Sequence, residues 1–336
     1  MAIISAISSK ILETIISKRN KGFDTCTKPI YRSSKPVISV GNLTFGGSGK
    51  TPLTIALAKE LIIKGFKPGI IGKGYKRKHK DINIIHDGKN LLTDWHHAGD
   101  EMFLIAEKLN IPVVVHNKKF EAAKIIEQLD TDVTILDDGF QHRYLHRDLD
   151  LVIIDSDTIN YPWFPPRGNL REPIESLNRA DLVLANEDLR IQDAFSKFEK
   201  YKPILFKQHI DNVYEIFSNQ TTIIDDRPVL AFCGVANPIR FYGSILKTGA
   251  IITEFITFKD HYNYSKRDLS KLLRLANKLK VSTLITTEKD AVKLREFKDL
   301  INVNNIDILA LPIRYEITYG KNVLSLDIQE KIGRSK

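Results

Sequence analysis

The sequence predicts an α/β protein, a mostly parallel sheet with helices on both faces followed by a smaller C-terminal α/β domain. Three observations carry that expectation. Short β-rich runs alternate with helix-period segments over most of the chain. One of those runs, at 37–40, ends in a glycine-rich loop directly ahead of a helical pattern. The alternation then breaks once, at 202–226, and restarts. The 336 residues are enough for two domains. A composition of 43% hydrophobic and 27% charged residues excludes disordered and fibrous classes.

The chain opens with MAIISAISSKILETIISKRNKGF, in which Ile3, Ile7, Ile11 and Ile15 recur every four residues with Ile4, Leu12 and Ile16 beside them. Ser8, Ser9, Lys10, Glu13 and Ser17 take the other side, and Lys18, Arg19 and Lys21 follow. Residues 1–23 therefore read as an amphipathic helix. Two readings fit it: a helix packed on its own domain, or one lying in a membrane interface with its basic end against anionic headgroups. Lys10 and Glu13 interrupt any signal-peptide core, and no apolar run reaches the length of a spanning helix.

A first domain is expected over 24–201. Its strands are read at 37–40, 68–72, 112–115, 133–137, 149–155 and 181–185, and its helices at 52–64, 100–109 and 118–129. Residues 202–226 are polar, without a clear helix, and read as a linker, extended or a β ribbon. A smaller domain at 227–336 begins with an apolar strand at 229–232 and contains further strands at 282–286 and 307–311.

Ligands in such sheets gather at the carboxyl ends of the strands, and the motifs fall there. The stretch 37-VISVGNLTFGGSGKTPL-53 approaches the phosphate-loop pattern G-x-x-x-x-G-K-[ST], with Thr44 in place of its first glycine and Gly46 and Gly47 supplying freedom inside the loop. Amides of Gly46, Gly47, Ser48, Gly49 and Lys50 would converge on phosphate oxygens, Lys50 would neutralise them, and the Thr51 hydroxyl would ligate Mg²⁺. Pro52 suits the first helical turn. This makes the fold one of P-loop type.

The run 133-VTILDDGFQH-142 ends a strand in Asp137 and Asp138, where a metal-binding acid is expected. Spacing leaves open which of the two is the ligand, because successive side chains on a strand point to opposite faces. Asp100 and Glu101 open a helix, where acids are favourable through capping and the dipole alone. Asp260 and His261 lie between a strand and a helix in 258-FKDHYNYS-265. The loop 162-PWFPPRGNLREP-173 carries Arg167, Arg171 and Glu172, and arginines near a strand end suit phosphate. The cluster 76–80, KRKHK, reads as a solvated loop that could attract an anionic substrate.

Charge and cysteines bound the partners. Lys+Arg of 50 against Asp+Glu of 41 gives +9, which favours acidic partners such as phosphate, anionic lipid or nucleic acid. The charge is dispersed and no nucleic-acid module appears, so nucleic acid is not expected. Cys26 and Cys233 match no metal or redox spacing and fit a reducing cytoplasm.

Taken in order, VGNLTFGGSGKTP, GKGYK, GDE, IPVVV, DDGFQHRYLHRDLDLVIID, PPRGNLREP, AFCGVANPIRFY, FKDHYNY and TTEKDAVKL resemble the tetraacyldisaccharide 4′-kinases, the lipid A 4′-kinases of bacteria with an outer membrane. The resemblance covers most of the chain. It implies ATP and Mg²⁺ as cofactors and transfer of the γ-phosphate to the 4′-hydroxyl of a tetraacylated glucosamine disaccharide 1-phosphate. It implies work at the cytoplasmic face of the inner membrane, reached through the N-terminal helix. It assigns Asp100 and His261 as a cooperating base, with Lys50 in catalysis. The motifs place Thr44, the 46–51 loop and Arg171 on ATP, and Thr51, Glu172 and Asp137 or Asp138 on the metal, with the choice between the two aspartates open. With His261 in the second domain and Asp100 in the first, domain closure would complete the site.

Two other classes stay open on the residues alone. A GTPase or metallochaperone-like NTPase would use [NT]-K-x-D for guanine, and here Thr287-Glu288-Lys289-Asp290 carries its lysine one place late. A membrane-bound nucleotide sensor would bind nucleotide without turnover.

Overall fold

The protein is described from a computed structural model over residues 2–80 and 83–333, with side chains from residue 5 onward. Among these residues the strands form two sheets. In chain order they are β1 Val37–Asn42, β2 Pro68–Gly72, β3 Ile84–His86, β4 Val113–Val115, β5 Val133–Asp137, β6 Leu149–Ile154, β7 Leu182–Asn186 and β8 Ile204–Ile210. They continue as β9 Val213–Glu215, β10 Thr221–Thr222, β11 Pro228–Cys233, β12 Ile251–Thr257, β13 Thr283–Thr287, β14 Asp307–Leu311 and β15 Ile313–Tyr319. The larger sheet runs β15-β8-β7-β6-β1-β5-β2-β4-β3, and the smaller one β10-β9-β14-β13-β11-β12.

Most neighbours are parallel, as expected of βαβ units, and the exceptions lie toward the edges. β3 pairs antiparallel with β4, β15 with β8, and β9 with both β14 and β10. All six residues of β1 are buried, which is what a strand covered on both faces by helices requires. β1 lies between β5 and β6, so the chain departs to opposite sides of it and leaves a crevice at its carboxyl end. The glycine-rich loop fills that crevice.

Helix α1 is Ala2–Asp24, α2 Lys50–Ile63, α3 Trp95–Ala98 and α4 Asp100–Leu109. α2 turns Leu53, Leu57, Ala58 and Leu61 onto the sheet. Each leucine contributes roughly 1.5–3 kcal/mol of burial, so the loop ahead of this helix sits on a fixed base.

Two expectations change. Residues 202–226, read as a linker, extended or a β ribbon, contain β8, β9 and β10 and join the two sheets, with β8 burying Ile204, Leu205 and Phe206 at its start. The last part of the expected smaller domain also returns to the larger sheet. β15 pairs along β8, and helix Lys321–Ile332 buries Leu324, Ile328 and Ile332 in the first core.

α1 divides its apolar surface. Ser9, Leu12, Ile16, Asn20 and Phe23 turn toward the body, while Ile7, Ile11 and Ile15 are 55%, 56% and 60% exposed. The side chains of Ile3 and Ile4 lie outside the described residues. No described helix is long and apolar enough to cross a membrane.

Candidate active site

A cavity of about 720 Å³ lies between the glycine-rich loop, the carboxyl ends of β1 and β5, and the segments following β11, β12 and β13. The loop is built by two glycines with positive φ, Gly46 at 106° and Gly49 at 88°. Gly49 is the N-cap of α2 and brings no capping side chain, so the first amides of that helix remain available to an anion. A Cβ at Gly49 would also fall 1.7 Å from the hydroxyl of Tyr315, on the returning strand β15. Gly41 has a related duty. It lets β1 approach the turn after β5, where a Cβ would meet Phe140 at 2.5 Å.

Lys50 reaches from this helix end to Asn42 Oδ1 at 3.1 Å and to Asp138 Oδ1 at 3.5 Å. Asp138 has φ of 50°, a left-handed conformation uncommon outside glycine, and a third of its side chain opens to the cleft. Arg171 clamps its carboxylate at 2.6 and 3.2 Å. Beneath the turn, buried Lys119 donates to the carbonyls of Asp137 and Asp138 at 2.8 and 2.6 Å, which fixes that backbone.

The two adjacent acids have opposite electrostatics. Burial, with Glu101 and Asp138 adding to it, pushes Asp137 up to about 6, and its Oδ1 accepts the Thr54 hydroxyl at 2.9 Å. Burial would raise Asp138 too, but Lys50, Lys119 and Arg171 hold it well below the usual carboxylate range. A charged carboxylate with exchangeable cations thus faces the cleft, and one whose carboxyl is pushed upward by burial lies beside it.

At the far side, His261 adopts φ of 55° and sets Nδ1 2.9 and 3.0 Å from the Asp100 oxygens. Asp100 is buried. Burial alone would raise its carboxyl. The His261 hydrogen bond and the charges of Lys289, His261 and Lys293 instead hold it at about 2. Lys293, 1% exposed, bridges Asp100 at 3.4 Å and Asp290 at 2.7 Å. Asp290 in turn accepts from the Gly234 amide and the Thr287 hydroxyl. Tyr75 lays its ring against His261 with centroids 4.7 Å apart.

The cleft thus gathers Gly46, Gly47, Ser48, Gly49, Lys50, Thr51, Asp137, Asp138, Arg171 and His261. Asp100 stands behind His261 rather than on the cavity wall. Thr44 is fully buried and ties its hydroxyl to Asp155 at 2.7 Å, so it shapes the start of the loop. Glu172 is placed elsewhere. It has no exposed surface, and Arg19 and Arg179 hold its two oxygens at 2.9 and 2.7 Å. Both its oxygens are engaged by guanidiniums and it lies off the cleft lining, turned away from the neighbouring Arg171.

Sequence reading missed Lys119, Lys289 and Lys293, and gave Gln141 and His142 no role. Gln141 Oε1 and His142 Nε2 are buried at the cleft without a hydrogen-bond partner. Burial, with the charges of Lys119, Arg147 and Arg19, lowers His142 to about 4, so it is neutral. Its only signal was position inside DDGFQH.

These features in one cleft, a phosphate-sized loop facing an acid–histidine pair, agree with the comparison to known proteins. A family described as tetraacyldisaccharide-1-P 4′-kinase matches residues 1–332. The chain belongs to that family. Among tetraacyldisaccharide 4′-kinases, the protein of Halothermothrix orenii is 34% identical over 307 residues, covering 82% of this chain and 79% of that one. The protein of Aquifex aeolicus is 34% identical over 300 residues, covering 88% and 91%. A crystal structure of the "apo" form of LpxK from Aquifex aeolicus in complex with ATP matches with a TM-score of 0.78 at 29% identity, over 97% of this chain and 98% of that one.

Proposed function

We propose that the chain carries out its family's reaction at a membrane surface, with Mg²⁺ in the cleft and His261 as the proton acceptor. It is a tetraacyldisaccharide 4′-kinase: the γ-phosphate of ATP passes to the 4′-hydroxyl of tetraacyldisaccharide 1-phosphate, a step of lipid A biosynthesis. The observation that carries the residue roles is the His261–Asp100 pair facing the glycine-rich loop across one cavity.

Phosphoryl transfer asks a protein mainly for positioning and charge neutralisation. The amides from Gly46 to Lys50 cradle the phosphates, and Lys50 and Arg171 exchange the Asp138 carboxylate for phosphate oxygens. The donor set fits Mg²⁺, because the Thr51 hydroxyl and the carboxylates of Asp138 and Asp137 are hard oxygens lining the same cavity. Among the described residues no group of three His, Cys, Asp or Glu would hold a metal alone. That suits an ion that keeps its waters and shares phosphate ligands. When bound, it neutralises charge on the transferring phosphoryl group.

Asp100 holds the His261 ring through Nδ1, which leaves Nε2 toward the cleft to take the proton of the acceptor hydroxyl. α1 supports docking on a lipid surface at the cytoplasmic face of the inner membrane. Its exposed Ile7, Ile11 and Ile15 lie among Lys10, Lys18 and Lys21. Ser9 bonds to the loop bearing exposed Trp163 at Phe164 O, 2.8 Å.

The test is transfer of label from γ-labelled ATP to the tetraacyldisaccharide 1-phosphate in detergent, beside Lys50→Ala. Labelled lipid from the wild type alone is expected. ATP binding without labelled lipid would favour a nucleotide sensor, and preference for GTP in competition would favour the GTPase class.

A further inference from the structure

The Thr287-Glu288-Lys289-Asp290 segment, one place off a guanine-reading motif, opens the helix Glu288–Leu294 that follows β13. Lys289 Nζ lies 3.1 Å from His261 Nε2, 3.1 Å from Glu101 Oε1 and 3.4 Å from Asp260 Oδ1. Burial would lower this ammonium, but Glu101, Asp100 and Asp260 raise it above the usual lysine range, so it is charged.

An ammonium only donates, so the nitrogen it meets on His261 carries a lone pair. A carboxylate only accepts, so Nδ1, against Asp100, carries the hydrogen. The groups facing this ring are Asp100, itself backed by Lys293, on the Nδ1 edge and Lys289 and Asp260 on the Nε2 edge. Glu101 acts through Lys289, Tyr75 covers one face, and Lys76 is engaged with the Asp260 carbonyl at 2.9 Å.

We propose that Lys289 is a positioning residue for the phosphoryl transfer: it fixes His261 as the neutral Nδ1–H tautomer and keeps Nε2 free of a proton until the acceptor hydroxyl arrives. The inference rests on the kinase reading above. Asp100 on its own favours the imidazolium, which is useless as a base. A fixed positive charge at Nε2 opposes it. On arrival of the acceptor, Lys289 stays on Glu101 and Asp260 and yields Nε2. The hydroxyl proton passes to Nε2 and the hydroxyl oxygen bonds to the γ-phosphorus. The bond between that phosphorus and the bridging oxygen breaks, and its electron pair leaves on ADP.

The experiment compares Lys289→Met, Lys289→Gln and Lys289→Arg with the wild type by two readouts. One is the pH profile of kcat/KM for lipid phosphorylation. The other is the NMR titration of the His261 ring with no substrate present, which does not depend on what the protein phosphorylates. Both neutral variants should move the acid limb and the ring midpoint to higher pH by about one unit. Arg should leave both near their wild-type positions. Should Met fail to fold, Gln, which can still bond to Glu101, carries the test. A fall in turnover at every pH with an unmoved ring midpoint would overturn the proposal and leave Lys289 a structural ion-pair partner. A moved midpoint in a protein that labels no lipid would uphold the role of Lys289 at His261 and refute the kinase reading instead.

Discussion

The two ends of the cleft are built on different principles. At the phosphate end, Lys50, Arg171 and Asp138 keep 15%, 21% and 34% of their side chains open, and each ion pair there is one that an arriving phosphate can replace. At the acceptor end, Asp100, Lys293 and Asp290 form a chain of charges with almost no exposure, closed by a backbone amide and a hydroxyl. The first end is provisional by construction, with carboxylate standing where phosphate belongs. The second is rigid, since a buried charge that loses its partner leaves its neighbour uncompensated. A nucleotide must enter and leave, whereas a base has only to be held in one tautomer.

The comparison orders the effects of breaking each end. Lys50→Ala removes one of the two exchangeable cations at the phosphates and should cost on the order of 10³-fold or more in turnover with little effect on folding. Thermal unfolding of that variant without ligand should match the wild type. Lys293→Met acts the other way. It leaves Asp290 buried without a cation and Asp100 held by His261 and Lys289 alone, and should destabilise the fold by about 3–5 kcal/mol in urea titrations. A change below about 1 kcal/mol would show that the acceptor end is as loosely held as the phosphate end. The smallest effect on chemistry should come from Ile7, Ile11 and Ile15 changed together to Ser. Turnover in detergent should stay at the wild-type level while sedimentation with anionic vesicles is lost. Retained vesicle binding would return α1 to a purely structural role.

The same contrast separates what the sequence made legible from what it did not. The phosphate end is written in consecutive residues: β1, the glycines with positive φ, Lys50 and Thr51 are a local backbone problem with local signals. The acid turn at Asp137 and Asp138 was equally plain, although only the environment of each distinguished them. The acceptor end joins residues 161 positions apart, and the family resemblance paired Asp100 with His261 where periodicity could not. Lys289 and Lys293 look like ordinary helix lysines until packing turns them onto Glu101 and Asp100. Glu172 shows the reverse case. Its place beside Arg171 suggested a shared task, but adjacent side chains diverge, and this one serves Arg19 and Arg179. The return of β15 to the larger sheet had no local signal either, since antiparallel pairing with β8 is decided by distant chain.

The most direct test of a two-ended cleft is to measure, in His261→Ala, ATP affinity and phosphate transfer side by side. The structure predicts ATP affinity equal to the wild type and a kcat lower by on the order of 10²–10⁴-fold, the loss expected for a missing general base. Wild-type turnover, or a loss of ATP binding that accounts for the lost turnover, would contradict the division of labour.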